Sequence, residues 1–336
     1  MTTQRNDGRA AIVTTLRNAG AVLDSFVAYH LAIGFGHIFL FFDDPADPDL
    51  PRMAANPSIT AIAHDTRLRQ AWNALPQYAA HAEFLDTEVM SRQVLNAALA
   101  MQMARDRGFD WLLHIDADEL FYSPQGTAAS HFARLQSSSL ESVVYLNYEA
   151  IPEQDDIRDF FREVNLFKVP LSLLPTGPAV THLVSATRQL SPKFYHFYAN
   201  GKSVVRLSAA GLRPVGVHCW GHPDRTTAVD RSPHHFILHY ACCGFETFWT
   251  KYATLGRFAD QWWQSGDIAS TIGPLHLDAR DVVASGDREA ARAFYRHRIA
   301  MLDRYQIAAL IDSGLLTRLA RPQQILNSAL AIPGMR

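Results

Sequence analysis

Cysteine is scarce. The 336-residue chain has three, Cys219, Cys242 and Cys243. The count is odd and two are adjacent, which argues against a disulfide framework and for a reducing compartment. An excess of either charge is missing too. Lys and Arg number 31 against 33 Asp and Glu, a formal net charge of -2, so no broad basic field exists for a phosphate backbone and no nucleic acid partner is expected. Long apolar runs are also absent: the longest, such as His37–Phe42, fall far short of the roughly 20 residues that span a bilayer. Residues 1–10 are polar and lack the apolar stretch of a secretory signal. These absences predict a cytoplasmic protein, which could still dock at the inner face of a membrane through a local patch. Neither internal repeats nor low-complexity segments occur.

What is present is alternation. Residues 10–15 form a short apolar run rich in β-branched side chains, as a buried strand does. The polar turn Arg17-Asn18-Ala19-Gly20 leads into residues 21–33, where Val22, Phe26, Tyr29 and Ile33 recur at three- and four-residue spacing on one helical face. Gly34 and Gly36 end that helix, and residues 37–42 form a second buried strand that stops at Asp43-Asp44-Pro45. This order predicts a parallel βαβ unit. Residues 58–63 make a weaker strand, and 65–85 read as loop with short helix. A helix over 87–107, capped by Thr87 and closed by Gly108, precedes a central strand over 111–115. Another helix opens at Ser123-Pro124, and a strand covers 142–147. Later residues change texture. A loop rich in Pro and Gly spans 171–179, short strands lie at 202–207, 215–220 and 235–241, and helices cover 245–263, 288–311 and 313–331.

The stretch Trp111-Leu-Leu-His-Ile-Asp116-Ala-Asp118-Glu119-Leu carries the most information. An apolar strand delivers two carboxylates, at i and i+2, to the carboxyl edge of a parallel sheet, where open α/β folds bind ligands. Paired hard oxygen donors suit Mg²⁺ or Mn²⁺, which can bridge nucleotide phosphates. The plainer alternative is a solvated acidic turn. An apolar strand before it, and no Lys or Arg near it in sequence, favour the metal.

That stretch resembles the Asp-X-Asp signature of GT-A-fold, family-2-like bacterial glycosyltransferases. Leu16-Arg17-Asn18, Tyr29-His30 with Gly34-Phe35, and Asp43-Asp44 are similar to the family's opening block, and Arg92-Gln93 with Asn96 to the helix before the signature. Gly201-Lys202-Ser203 with Arg206, then Gly216-Val217-His218, then Leu238-His239-Tyr240 with Lys251, are similar to later blocks. Ala19 stands where the family usually carries an acidic residue, and residues 146–156 do not follow its pattern.

The resemblance implies a GT-A-like sandwich around a central, mostly parallel sheet, with C-terminal helices. Residues 1–150 would be the nucleotide-sugar-binding half, 151–270 the acceptor-side half, and 271–336 a helical extension. It implies transfer of a sugar from a nucleotide diphosphate donor, UDP-linked, to a glycan or lipid-linked acceptor, with Mn²⁺ or Mg²⁺ as cofactor. The expected donor-binding residues are Arg17, Asn18, Asp43, Asp44, Arg92, Asn96, Asp116, Lys202, Arg206 and Lys251. The expected metal ligands are Asp116 and Asp118 with a histidine, His239 ahead of His218; for His239, in an apolar strand, the plainer role is a core histidine. An inverting enzyme needs a general base, and Glu149 and Glu153 follow the strand after the acidic turn. Two rival readings are a phosphohydrolase of the haloacid dehalogenase type, whose Asp-X-Asp normally sits on the first strand, and a catalytically silent sugar-binding module.

Overall fold

The computed structural model describes residues 8–174, 177, 178, 181, 201–255 and 275–331. The first elements are β1 (Ala10–Leu16), α1 (Val22–Ala32), β2 (His37–Phe42), α2 (Leu50–Ala54), β3 (Ile59–Ala63), α3 (Thr66–Asn73), α4 (Val89–Asp106) and β4 (Trp111–His114). Then come β5 (Glu119–Tyr122), α5 (Ala128–Leu135), β6 (Ser142–Ala150), α6 (Phe160–Glu163), β7 (Leu166–Lys168), β8 (Lys202–Arg206), β9 (Arg213–Gly216) and β10 (Cys219–Gly221). The last are β11 (Val229–His239), α7 (Phe245–Leu255), α8 (Leu275–Ala284), α9 (Arg288–Arg298), α10 (Arg304–Asp312), β12 (Leu316–Arg318) and α11 (Arg321–Leu330). The expected α/β architecture, with a mostly parallel central sheet and C-terminal helices, is what these elements build.

The chain divides into two compact units. One comprises Met1–Leu146, Gly201–Ile237 and Ile325–Arg336, the other Asn147–Asn200 and Leu238–Gln324. In the first, the strands run in the order β6-β8-β4-β1-β2-β3. The four strands β3, β2, β1 and β4 are mutually parallel, while β8 pairs antiparallel with both β4 and β6. All seven residues of β1 and all six of β2 are buried, the signature of inner parallel strands covered on both faces. One core cluster, with Phe39, Trp72, Leu95, Met101, Leu112 and Trp220, packs α4 against the sheet. In the second unit, the end of β6 pairs with β7, which pairs with β12. Helices α7, α8 and α9 share a core around Phe245, Tyr252, Ala279 and Tyr295.

Several boundaries differ from expectation for local reasons. The N-cap of α4 is Glu88, and Thr87 instead donates its hydroxyl to the Phe84 carbonyl. The helix expected at Ser123 starts after Thr127, whose side chain and Ser130 form a reciprocal capping box. Residues expected as one helix over 288–311 break, and Asp303 caps the second part by accepting from the Tyr305 and Gln306 amides. Residues 256–263 of the expected aromatic helix lie outside the described residues. Among the described residues no helix is long and apolar enough to cross a membrane.

Candidate active site

Parallel pairing brings four strand ends to one edge of the first unit. Leu16, Phe42, Ala63 and His114 close β1, β2, β3 and β4, so Arg17-Asn18, Asp43-Asp44, His64 and Asp116 emerge side by side. Strand β8 runs against β4 with Ser203 opposite His114, which places Lys202 at the same edge. The β9–β10 turn adds His218, held at φ +58°, a left-handed conformation uncommon for a non-glycine residue.

Asp116 is the hub. Its Oδ1 accepts from Gln93 Nε2 at 2.8 Å, and its Oδ2 accepts from Lys202 Nζ at 2.7 Å. His218 Nε2 lies 3.1 Å from the same Oδ2. Behind it, Glu119 Oε2 accepts the Asp116 backbone N–H at 2.9 Å, and Glu119 Oε1 lies 3.1 Å from Lys202 Nζ. Exposure falls steeply inward: the Asp116 side chain keeps 28%, Lys202 7% and Glu119 none. Asp118 is half-buried on the same turn.

The charges set one another. Burial works to raise the Asp116 carboxyl, but the Lys202 ammonium and His218 outweigh it and hold it well below the usual carboxylate range. Burial pushes Glu119 up to about 8, with Asp116 and Asp118 adding to the rise and Lys202 opposing it. Burial alone would lower Lys202, yet Asp116 and Glu119 raise it, so it stays charged. Burial and then Lys202 lower His218, outweighing the pull of Asp116. The His218 Nδ1 lies 3.1 Å from the His114 carbonyl, which can only accept, so Nδ1–H donates there.

The nearby polar network has a second centre. Arg92 makes a bidentate pair with Asp43, Nε to Oδ1 at 2.5 Å and Nη2 to Oδ2 at 2.8 Å, while its Nη1 donates to the Leu85 carbonyl. The Asn18 backbone N–H donates to Asp47 Oδ2 with Asn18 at φ +52°. Arg17 is 3.9 Å from Asp44, which also caps the turn by accepting from the Ala46 amide.

Other expected residues take different places. Arg206 sits opposite Trp111, four residues along β8 from Lys202 and so away from the carboxyl edge. Its guanidinium donates to the Leu135, Ser138 and Leu140 carbonyls and to Gln136, and lies 4.3 Å over the Trp111 ring. With those donors committed, Arg206 fastens a loop rather than a diphosphate. Asn96 is buried, donating to Thr15 Oγ1 and accepting from Trp72 Nε1, which makes it a strut under the edge. The absence of a basic partner near the acidic pair was a property of sequence distance, and Lys202 overturns it.

Lys251, His239, Glu149 and Glu153 belong to the second unit. Lys251 donates to the Ala241 carbonyl, and His239 ends β11 at 1% exposure. Glu153 is spent in a bidentate pair with Arg318, which leaves it poorly suited to take a proton. Glu149 is 3.4 Å from Lys168, and burial raises its carboxyl with Lys168 opposing. Reading the sequence missed Glu119, Gln93 and His114 as site residues. All three lie inside stretches that carried the resemblance, and Gln93 shares a helical face with Asn96.

No family model matches the chain. It is 29% identical over 331 residues to a glycosyltransferase-like protein of Arabidopsis thaliana, covering 94% of this chain and 71% of that protein. A second glycosyltransferase-like protein of the same plant is 27% identical over 329 residues, covering 94% and 62%, so the chain spans less than two thirds of it. Solved structures give partial superpositions. Mannosyl-3-phosphoglycerate synthase from Rubrobacter xylanophilus superposes at a TM-score of 0.30 and 15% identity, over 93% of this chain and 77% of that one. Glucosyl-3-phosphoglycerate synthase from Mycobacterium tuberculosis, in complex with Mn²⁺, uridine diphosphate and glucosyl-3-phosphoglycerate, gives 0.26 and 12%, over 59% and 57%. Along nearly its whole length, then, the chain is similar to proteins described as glycosyltransferase-like.

Proposed function

We propose that this chain transfers a sugar from a nucleotide diphosphate donor, UDP-linked, to a glycan or lipid-linked acceptor, with Mn²⁺ or Mg²⁺ bound at the acidic turn. One observation carries the metal. His218 Nε2 and Asp116 Oδ2 lie 3.1 Å apart at the end of the acidic strand. A carboxylate oxygen and an imidazole nitrogen are both donor types that Mn²⁺ accepts. The His114 carbonyl fixes the ring by accepting from Nδ1, as outer-shell partners of metal-bound histidines do. Among the described residues no three His, Cys, Asp or Glu side chains are already gathered as a metal-holding group; Asp116, Asp118 and His218 are the residues that would hold the ion, with His218 ahead of His239. When bound, the ion would neutralise charge on the departing diphosphate.

The chain's own residues divide the remaining work. The Asp43–Arg92 pair at the end of β2 would accept a hydrogen bond from the base or ribose, its geometry fixed by the guanidinium fork. Asn18 and Arg17, at the end of β1, would face the nucleotide from the adjoining strand. Within the second unit, Glu153 is tied to Arg318, while burial raises the Glu149 carboxyl with Lys168 opposing.

Two measurements test this. A screen of nucleotide sugars should raise the melting temperature with Mn²⁺ present and not without it, because ligands that bind only the folded state stabilise it. Asp118→Ala should lower transfer by at least about 100-fold, with an unchanged circular dichroism spectrum, since charge stabilisation of this kind is worth several kcal/mol. A folded Asp118→Ala protein with wild-type turnover removes the metal assignment.

A further inference from the structure

In the second unit a cleft of about 290 Å³ lies between the segment that follows β6 and the start of α10. Three buried side chains, Ile157, Val164 and Ile307, make its apolar wall. The polar part of the lining has hydrogen-bonding capacity to spare. Glu163 Oε1 accepts the Arg158 and Asp159 amides at 2.9 and 2.7 Å, which fixes the carboxylate and leaves Oε2 uncommitted among the described residues. Gln154 donates through Nε2 to the Asp156 carbonyl at 3.2 Å, which leaves its Oε1. Arg304, the first residue of α10, also lines the cleft, and no hydrogen bond or ion pair engages its guanidinium among the described residues.

These groups define what fits. Glu153 is neutralised by Arg318 at 2.7 and 2.8 Å, so the charge of the lining comes down to one carboxylate, Glu163, and one guanidinium, Arg304. A ligand charged in either sense would meet a like charge. A neutral ring bearing several hydroxyls would instead find acceptors in Glu163 and Gln154, donors in Arg304, and an apolar wall for its C–H face. The volume falls just below the range of drug-sized ligands, which excludes a nucleotide and suits one ring. Leu302 and Tyr305, on either side of Arg304, are the two most exposed large apolar side chains among the described residues, at 48% and 90%. We propose that this cleft binds one neutral pyranose unit of a mono- or oligosaccharide, at a site of its own apart from the acidic turn. The assignment stands on the cleft alone and needs neither the metal nor the transfer reaction.

The test is titration of the whole chain with the methyl glycosides of glucose, mannose and galactose, without donor or metal, read by saturation-transfer-difference NMR. A ligand of this size should bind with a Kd of about 1–10 mM. Arg304 and Gln154 are both exposed, so Arg304→Ala and Gln154→Ala should keep the fold, which melting curves check. Each should weaken the bound glycoside at least about threefold, while Asp116→Asn leaves its affinity unchanged. Glucuronate and glucosamine, one of each charge, should bind at least about threefold more weakly than the neutral glycosides. If no neutral glycoside binds, the proposal falls, and the donor-dependent melting shift can still be observed. Binding that Asp116→Asn abolishes and Arg304→Ala leaves intact would put the sugar at the acidic turn and reject the cleft. Either charged sugar binding as tightly as the neutral ones rejects the ligand class. If Arg304→Ala does not fold, Gln154→Ala decides, and unchanged affinity there overturns the assignment.

Discussion

Arg92 and Asp43 show how much one side chain's shape matters. The guanidinium meets the carboxylate through two parallel N–H···O contacts and spends a third donor on the Leu85 carbonyl. A lysine offers a single charged point and cannot reproduce that fork. Arg92→Lys should therefore leave Asp43 free to rotate, raising the donor KM about tenfold, or about 1.4 kcal/mol, with kcat nearly unchanged. Initial-rate titration of the donor checks this, and an unaltered KM would mean that Asp43 does not touch the nucleotide. Residue type singled out Asp43 and Asp116, because a charged side chain at the end of an apolar strand has little structural reason to be there, while Arg92 reaches Asp43 from α4. It misled for Arg206 and Asn96, whose polar groups satisfy carbonyls, hydroxyls and an indole inside the fold.

Among the elements, β8 places Lys202, and the residue before it makes that placement achievable. Gly201 has φ +73°, and a Cβ there would lie 2.5 Å from the Tyr145 carbonyl oxygen. Gly201→Ala thus meets both a backbone penalty of about 1–2 kcal/mol and a backbone clash, and should destabilise by at least about 2 kcal/mol. Gly286 is the control: its φ is +77° but nothing lies within 4 Å, so Gly286→Ala should cost only about 1 kcal/mol. Urea unfolding of the two variants separates the terms, and equal losses would contradict the clash. The early elements were legible because β1, α1 and β2 carry clean periodicity. Strand β5 was not, since its four residues begin at Glu119 and read as the tail of the acidic turn. Strand β12 was hidden inside an expected helix, being three residues long and defined by its distant partner β7. The site's own pairings are of that kind too: Lys202 and His218 are 86 and 102 residues from Asp116, beyond the reach of any local pattern.

For the whole molecule, buried histidine sets a limit on acid stability. Burial lowers His30 and His131 to about 3, and His37 and His235 to about 4. In the unfolded chain these rings would titrate near 6.5. Above that value both states hold the ring neutral and the group costs nothing. As pH falls below it the unfolded chain takes up protons that the folded chain refuses, so stability drops until the folded value is reached. At pH 5 each of His30 and His131 should remove about 2 kcal/mol relative to pH 7. Stability measured by denaturant at intervals from pH 7 to 5 should fall steeply, and His131→Gln should make the fall shallower by one proton's worth. A flat profile would show that these rings are not held neutral.

The first unit is stitched from three separated stretches of chain, and this has a consequence for synthesis on the ribosome. Asp116 emerges 86 residues before Lys202, which at 5–20 residues per second is a delay of roughly 4–17 s. Throughout it β4 has no β8 beside it, and its edge hydrogen-bonding groups are open to any other strand. A fragment released before residue 202 would carry the acidic turn without the lysine that neutralises it.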